Sequence, residues 1–270
     1  TYVHVKDEMF EVRVPKDGEY EKAHYAAKKV TGIVMPRGAA LSTDAVFLAM
    51  QHNVDILFME NTGRTFGRIW HSKLGSTTKI RKAQLEASLN ETGLYWVRQW
   101  LLRKLDNQHR LLQNLKKNRA KQAGYIDGQL EKLRPLRKSL EEIGGSCVAD
   151  VAETFRGLEG TSGRIYFETL SALLPKTHQF GGRSFRPAQN PFNAFLNYTY
   201  GILYGRVERA LMIAGLDPYL GFMHRDSYNQ LSFVFDFIEP YRTYADEVVF
   251  KLFSGKKVNQ QHTDAITNGY

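Results

Sequence analysis

The chain has 270 residues and 43% hydrophobic content, enough for one large core or two ordinary ones, and two domains are the better expectation. Lys and Arg number 37 against 28 Asp and Glu, a formal charge of +9 that favours a polyanionic partner through counterion release. No apolar run approaches the roughly 20 residues that span a bilayer, the N-terminus lacks a secretory pattern, and the single Cys147 excludes an internal disulfide or a Cys-rich zinc site. The expectation is a soluble cytoplasmic protein with no membrane partner.

Up to about residue 80 the pattern is short and alternating. Val3 and Val5, then Phe10, Val12 and Val14, predict hairpin strands before a turn at Pro15 to Gly18. Thr31 to Met35 and Val54 to Met59 predict further strands, and Ser42 is placed to cap a short helix between them. Asn61 to Gly63 reads as a turn leading into Thr65 to Trp70. From about Ile80 the period moves toward 3.6, and Leu94, Val97, Leu101, Leu105, Leu111, Leu112 and Leu115 fall on one side of a long helix. Gly124, Gly128 and Pro135 interrupt that region. A new helix is predicted from about Cys147 to Leu174, and Asn190 with Pro191 reads as the N-cap and first residue of another reaching about Ala214. The fold class is therefore α+β: a β-rich domain over residues 1–80, assigned dimerisation and DNA contact, followed by a larger all-helical catalytic domain over residues 81–270.

The segment Leu231 to Pro240 is apolar except for Asp236 and Glu239, which on a helix share a face. A buried carboxylate costs several kcal/mol unless a cation or hydrogen-bond donors compensate. A bound metal is one such compensation; the other has Glu239 beside the dipole of the following helix and Asp236 paired with an Arg such as Arg242. His224 ends the apolar run Gly221-Phe222-Met223 and alone reads as an ordinary rim histidine. Glu159 sits in a helical segment where Gly157, Gly160 and Gly163 leave one side bare, suited to a ligand or to a packed helix. Together these residues form an oxygen-rich set suited to Mg2+ or Mn2+. Such a cation activates a hydroxyl and stabilises charge on a scissile phosphate. Arg164, Arg183 and Arg186 lie around the set, either on phosphates or as solvated charges. Arg64, Arg68, Lys73, Lys79, Arg81 and Lys82 occur with no acidic residue among them, which fits phosphate positioning or a solvated face. Lys116, Lys117, Arg119 and Lys121 read as solvated.

Leu158-Glu159-Gly160 followed by Arg164, Tyr166 and Phe167 resembles a signature of the CRISPR-associated adaptation integrases, the Cas-one family. Arg186-Pro187 with Asn190 to Ala194, then Ala214 to His224, then Leu231 to Asp236 and Glu239 to Arg242, are similar to its later motifs. The resemblance is specific from about Gly157 to Asp246 and weaker at Lys104, Asn107 and Gln108.

It implies metal ligands at Glu159, His224 and Glu239, with Asp236 as a supporting or auxiliary catalytic residue. It implies insertion of short DNA fragments into a CRISPR repeat by transesterification, and cutting of branched DNA. It implies a homodimer bridged by a small Cas-two partner, and ends that are trimmed relative to the family. Arg225 and no lysine stands in the loop after His224, a departure from some members. Three other readings stay open: a related nuclease or transposon integrase outside CRISPR, a non-catalytic DNA-binding scaffold, and a tyrosine nucleophile at Tyr198 or Tyr166.

Overall fold

Alternation near the N-terminus becomes an antiparallel hairpin of β1 (Tyr2–Lys6) and β2 (Met9–Lys16), with Val3 opposite Val12 and Val5 opposite Phe10. The next turn is shorter than the sequence suggests. Pro15 stays in β2, and Asp17 and Gly18 alone make the turn, both at positive φ (50° and 86°), which matches the twist of a two-residue hairpin. It leads into β3 (Glu19–Ala26), a strand whose charged sequence conceals it and which pairs with β2 along its whole length.

In this computed structural model the described residues are 1–60, 65–69, 77–224, 230–263 and 269–270. They divide into two units, Thr1–Gly75 and Ser76–Tyr270. In the first, a four-stranded sheet ordered β3-β2-β1-β5 includes β5 (Ala40–Leu41), and a three-stranded sheet is ordered β4 (Gly32–Pro36), β6 (Asp55–Met59), β7 (Thr65–Ile69). Helix α1 (Thr43–Gln51) starts where Ser42 Oγ accepts from the Ala45 N–H at 3.2 Å. Its Ala45, Leu48 and Ala49 pack with Val3, Phe10, Met35 and Ile56 as the core of this unit.

The second unit is helical: α2 (Thr77–Ser88), α3 (Glu91–Lys116), α4 (Ala123–Glu142), α5 (Val148–Ala172), α6 (Pro191–Ile213), α7 (Ser232–Phe237) and α8 (Arg242–Ser254). The long helix expected from Ile80 is two. Asn90 caps α3 by accepting from the Thr92 N–H at 2.8 Å, and a Cβ at Gly93 would run into the Ala87 carbonyl, so the α2–α3 corner needs glycine there. The predicted interruptions at Gly124, Gly128 and Pro135 do not occur, because all three lie on the exposed face of a continuous α4. Water can take up the Glu131 carbonyl that Pro135 leaves free. The cost of about 3 kcal/mol for an interior proline is outweighed by burial of Leu130, Leu133 and Leu140, each worth roughly 1.5–3 kcal/mol. Among the described residues no helix is long and apolar enough to cross a membrane. Cys147 is half-buried at the N-cap of α5.

Candidate active site

Four elements of the helical unit bring charged side chains to one place. Helix α3 supplies Lys104, α5 supplies Glu159, the turn before α8 supplies Glu239, and α8 opens with Arg242. Lys104 Nζ stands 2.7 Å from Glu159 Oε1 and 2.6 Å from Glu239 Oε2, so one ammonium bridges carboxylates from two separate elements. Arg242 Nε donates to Glu239 Oε1 at 2.7 Å. Glu239 is 1% exposed. Burial pushes its carboxyl up, but Arg242 and then Lys104 outweigh it and hold the group well below the usual carboxylate range. Burial likewise opposes the Lys104 charge, and Glu239 and Glu159 overcome it to raise the ammonium above its ordinary value.

Asp236 and Glu239 do not share a face. Helix α7 ends at Phe237 and the chain tightens into a 3-10 turn over Glu239–Tyr241, which sends the two carboxylates to different partners. Arg242 pairs with Glu239 and not with Asp236, contrary to the structural alternative drawn from sequence. Asp236 instead accepts the backbone N–H groups of Phe222 (2.6 Å), Met223 (3.0 Å) and His224 (3.1 Å) and faces His224 Nδ1 at 2.6 Å. Four donors saturate this carboxylate. The imidazole therefore carries its proton on Nδ1 and leaves the Nε2 lone pair as the available ligand. Burial would lower the His224 pKa, but Asp236 more than compensates and raises it.

The loop carrying His224 is tied down on several sides. Gln84, buried on α2, donates to the carbonyls of Asp217 (2.9 Å) and Leu220 (3.1 Å) and accepts from the Asp217 N–H (2.8 Å). Arg156 on α5 donates to the Met223 carbonyl at 3.1 Å. Trp100 packs on Phe222, Phe233 and Phe237 behind it. At Gly221 a Cβ would lie 2.6 Å from Ser232 Cβ and 3.0 Å from the His224 carbonyl oxygen, so the loop passes too close to α7 for any other residue. Asn107, one turn beyond Lys104 on α3, donates to the Pro240 carbonyl at 2.7 Å and anchors the Glu239 turn.

Beside the carboxylates an open cleft of about 610 Å³ is lined by Lys104, Glu159, Gly160, Gly163, Arg164 and Arg183, among others. A Cβ at Gly157, Gly160 or Gly163 would meet nothing within 4 Å, so the bare side of α5 is open rather than packed on a helix. The predicted basic residues fare differently. Arg164 is 64% exposed and only loosely paired with Glu168 at 3.2 Å, and Arg186 is exposed over the Phe185 ring. Arg183 is partly buried, donating to Asn193 Oδ1 (2.8 Å) and Asn197 Oδ1 (2.6 Å) above Tyr200. Arg68 lies 3.2 Å from Asp55 with its side chain 10% exposed, an ion pair inside the first unit that offers DNA little. Arg64 and Lys73 lie outside the described residues. In the second basic cluster Arg119 turns inward over Phe250.

Tyr166 is fully buried and donates to Asp246 Oδ2 at 3.0 Å, and Tyr200 donates to Asp246 Oδ1 at 2.6 Å. A nucleophile must reach its phosphate, so Tyr166 is excluded from that role. Tyr198 is exposed on α6 but lines a separate depression with His262 and Tyr270. Sequence reasoning did not find the Tyr166–Tyr200–Asp246 set, because its two hydrogen bonds join residues 80 and 46 positions apart in the chain. Lys104 entered only through the weak part of the resemblance.

The donor chemistry fits a hard divalent cation: two carboxylates and one oriented imidazole. Glu239 Oε2 is buried, and apart from its ion pair with Lys104 it accepts no well-aligned hydrogen bond, the kind of oxygen a cation satisfies. As placed, no three His, Cys, Asp or Glu side chains among the described residues converge on a single point; Lys104 stands between the two carboxylates.

A family model described as CRISPR associated protein Cas1 matches residues 1–270, the whole chain. The chain belongs to the Cas1 family. Among Cas1 relatives, the CRISPR-associated endonuclease Cas1 1 of Archaeoglobus fulgidus is 32% identical over 234 residues, covering 83% of this chain and 68% of the relative. A solved CAS1 protein from Thermotoga maritima superposes with a TM-score of 0.76 at 18% identity, covering 99% of this chain and 81% of that one. A chain of a Cas6-RT-Cas1–Cas2 complex gives a TM-score of 0.73 at 20% identity over 96% of this chain, which spans only 27% of that longer polypeptide. These likenesses carry the β-then-helical architecture of the Cas1 family.

Proposed function

We propose that this Cas1-family chain is a metal-dependent DNA integrase and endonuclease of CRISPR adaptation. The observation that carries the reading is the convergence of Glu159 and Glu239 on one cationic position, within electrostatic reach of an imidazole whose tautomer Asp236 fixes. Its relative in Archaeoglobus fulgidus carries the name endonuclease, which supports a nucleolytic site over a passive scaffold.

Glu159, His224 and Glu239 are the residues that hold Mg2+ or Mn2+, which when bound supplies Lewis acidity toward a phosphodiester. Asp236 keeps His224 Nδ1 protonated and the ring in place. Arg242, fixed by Tyr204 Oη at 3.1 Å and by the Tyr200 face, holds Glu239 ionised. Arg164 at the cleft mouth, with Arg183 and Arg186 nearby, seats DNA phosphates and positions the strands. In the joining reaction the 3′ hydroxyl of a short DNA fragment attacks a repeat phosphodiester. One P–O bond forms as the P–O3′ bond of the repeat strand breaks, which leaves a new 3′ end. With water in place of the 3′ hydroxyl the same site cuts branched DNA. The working assembly is a homodimer with a small Cas2 partner; the likeness to a chain of a Cas6-RT-Cas1–Cas2 complex supports the Cas2 partner.

The test is strand transfer of a labelled short duplex into a plasmid carrying candidate repeats. Joining is expected with Mg2+ or Mn2+, and its loss with chelator and in His224→Ala. Joining indifferent to the repeat would favour a nuclease or transposon integrase outside CRISPR. Joining that persists in the variant or in chelator would move the chemistry to other residues.

A further inference from the structure

We propose that Lys104 is a place-holding cation: its ammonium fills the position between Glu159 and Glu239 in the metal-free protein, and gives it up when a divalent cation binds. The inference rests on the reading of Glu159, His224 and Glu239 as the metal-holding set, and extends it to a residue that opposes binding.

Charge balance is the first argument. Glu159 and Glu239 bring two negative charges, and Lys104 and Arg242 bring two positive ones, so the cluster is already neutral. A divalent cation added to this arrangement would leave two uncompensated positive charges in a place where Glu239 is 1% exposed. One of the two resident cations has to leave the carboxylates. Arg242 is not free to do so: its guanidinium lies between the Tyr200 and Tyr204 rings, 4.8 and 5.5 Å from their centroids, and donates to Tyr204 Oη. Its planar fork suits a fixed ion pair.

Geometry singles out Lys104. Its Nζ is within 2.7 Å of an oxygen of each carboxylate, so those two oxygens cannot be further apart than the sum of the two contacts, and a metal ion bound by both must sit close to where Nζ is now. Glu239 Oε2 contacts the ammonium without a well-aligned hydrogen bond, so the ammonium acts there as a charge rather than as a fitted donor. Lys104 also borders the open cleft together with Gly160 and Gly163, where an added Cβ would meet nothing. Its flexible four-carbon stem can withdraw into that space. The displaced ammonium then stands beside Arg164 and Arg183, on the side where phosphates are seated. Lys104 in this account stabilises the empty site, lowers its affinity for stray cations, and joins the DNA-facing charges only once metal is bound.

The experiment is Mn2+ titration by calorimetry without DNA, on the native chain, Lys104→Met, Lys104→Gln and Glu159→Gln, with thermal melting in chelator and in Mn2+. Two neutral replacements are used so that poor folding of one leaves the other to decide. The native chain is expected to bind Mn2+ in a way that Glu159→Gln abolishes. Removing the lysine charge is expected to tighten Mn2+ binding roughly tenfold or more. It should also lower the melting temperature in chelator and enlarge the rise that Mn2+ produces. A lysine that only packs the site would lower both melting temperatures equally. Equal or weaker Mn2+ binding in both lysine variants, with Glu159-dependent binding in the native chain, would overturn the place-holder and leave the metal site standing. Absence of Mn2+ binding in the native chain and in both lysine variants, or binding in the native chain that Glu159→Gln leaves unchanged, would overturn the metal reading itself, and the place-holder with it.

Discussion

Asp236 grips His224 at two points, accepting from the ring Nδ1 at 2.6 Å and from the backbone N–H at 3.1 Å through the same oxygen. With the Phe222 and Met223 N–H groups on its other oxygen, the carboxylate shapes a loop and chooses a tautomer at once. Under the proposed function this carboxylate positions His224, and all four of its contacts go to the loop.

Asp236→Asn should therefore weaken metal binding by about 10–100-fold while leaving binding to duplex DNA nearly unchanged. The imidazole loses the partner that raises its pKa, so NMR titration should find His224 protonating at lower pH in the variant. The sign for stability follows. A raised folded pKa gives stabilisation that is complete below the unfolded value and lost as pH rises through the folded one. In the variant that loss should come at lower pH.

The two bridged carboxylates should differ in stability. Glu239→Ala leaves Lys104 and Arg242 facing one another in a buried place and should cost about 3–5 kcal/mol. Glu159→Gln should cost much less, since the Glu159 side chain is 21% exposed and water can replace it. Urea denaturation in chelator reads both. Equal costs would mean that Glu239 is not the buried keystone of the pair. Because the folded pKa of Glu239 is depressed, its contribution is present above the ordinary glutamate value and disappears as pH falls through the lower one.

Asp246 behaves in the opposite sense. Burial raises its pKa to about 6, despite the hydroxyls of Tyr200 and Tyr166. Stability tied to its proton is complete below the ordinary aspartate value and lost as pH rises through about 6. Asp246→Asn keeps an acceptor and removes the charge, and either tyrosine hydroxyl can rotate to meet the amide. The variant should be more stable than the native chain at pH values above the raised pKa, with the difference closing in acid. Denaturation midpoints across that range test it; a variant less stable throughout would show that the ionised form is welcome there.

Gly221→Ala should displace the His224 loop, since the new methyl meets Ser232 Cβ at 2.6 Å. Overpacking of this kind costs roughly 1–3 kcal/mol. Loss of joining with DNA binding retained would separate the loop from the basic surface.

What the sequence makes legible follows from period and punctuation. Ser42, Asn90, Asn190 and Pro191 mark helix starts because capping is a local interaction, although Asn90 was passed over when Ile80 to Leu115 was read as one helix. Gly124, Gly128 and Pro135 mislead because their cost is met by the burial of Leu130, Leu133 and Leu140 on the opposite face of α4, and a local breaker signal does not weigh that burial. β3 is hidden because an exposed strand lacks the apolar alternation that betrays a half-buried one. Glu159, His224, Asp236 and Glu239 were singled out as charged or imidazole groups in apolar or glycine-rich surroundings. The pairing of Glu159 with Lys104, 55 positions away, and of Asp246 with Tyr166, 80 positions away, leaves no local pattern to read.

Lys104 and Asn107 project from adjacent turns of α3, one to the carboxylates and the other to the carbonyl of Pro240. That helix is in effect a gauge: it sets the height of the ammonium and the height of the Glu239 turn with a single rigid rod. Inserting one residue between Leu94 and Lys104 would turn both side chains by about 100° and carry them about 1.5 Å along the axis together, so the register of α3 cannot drift without erasing the site.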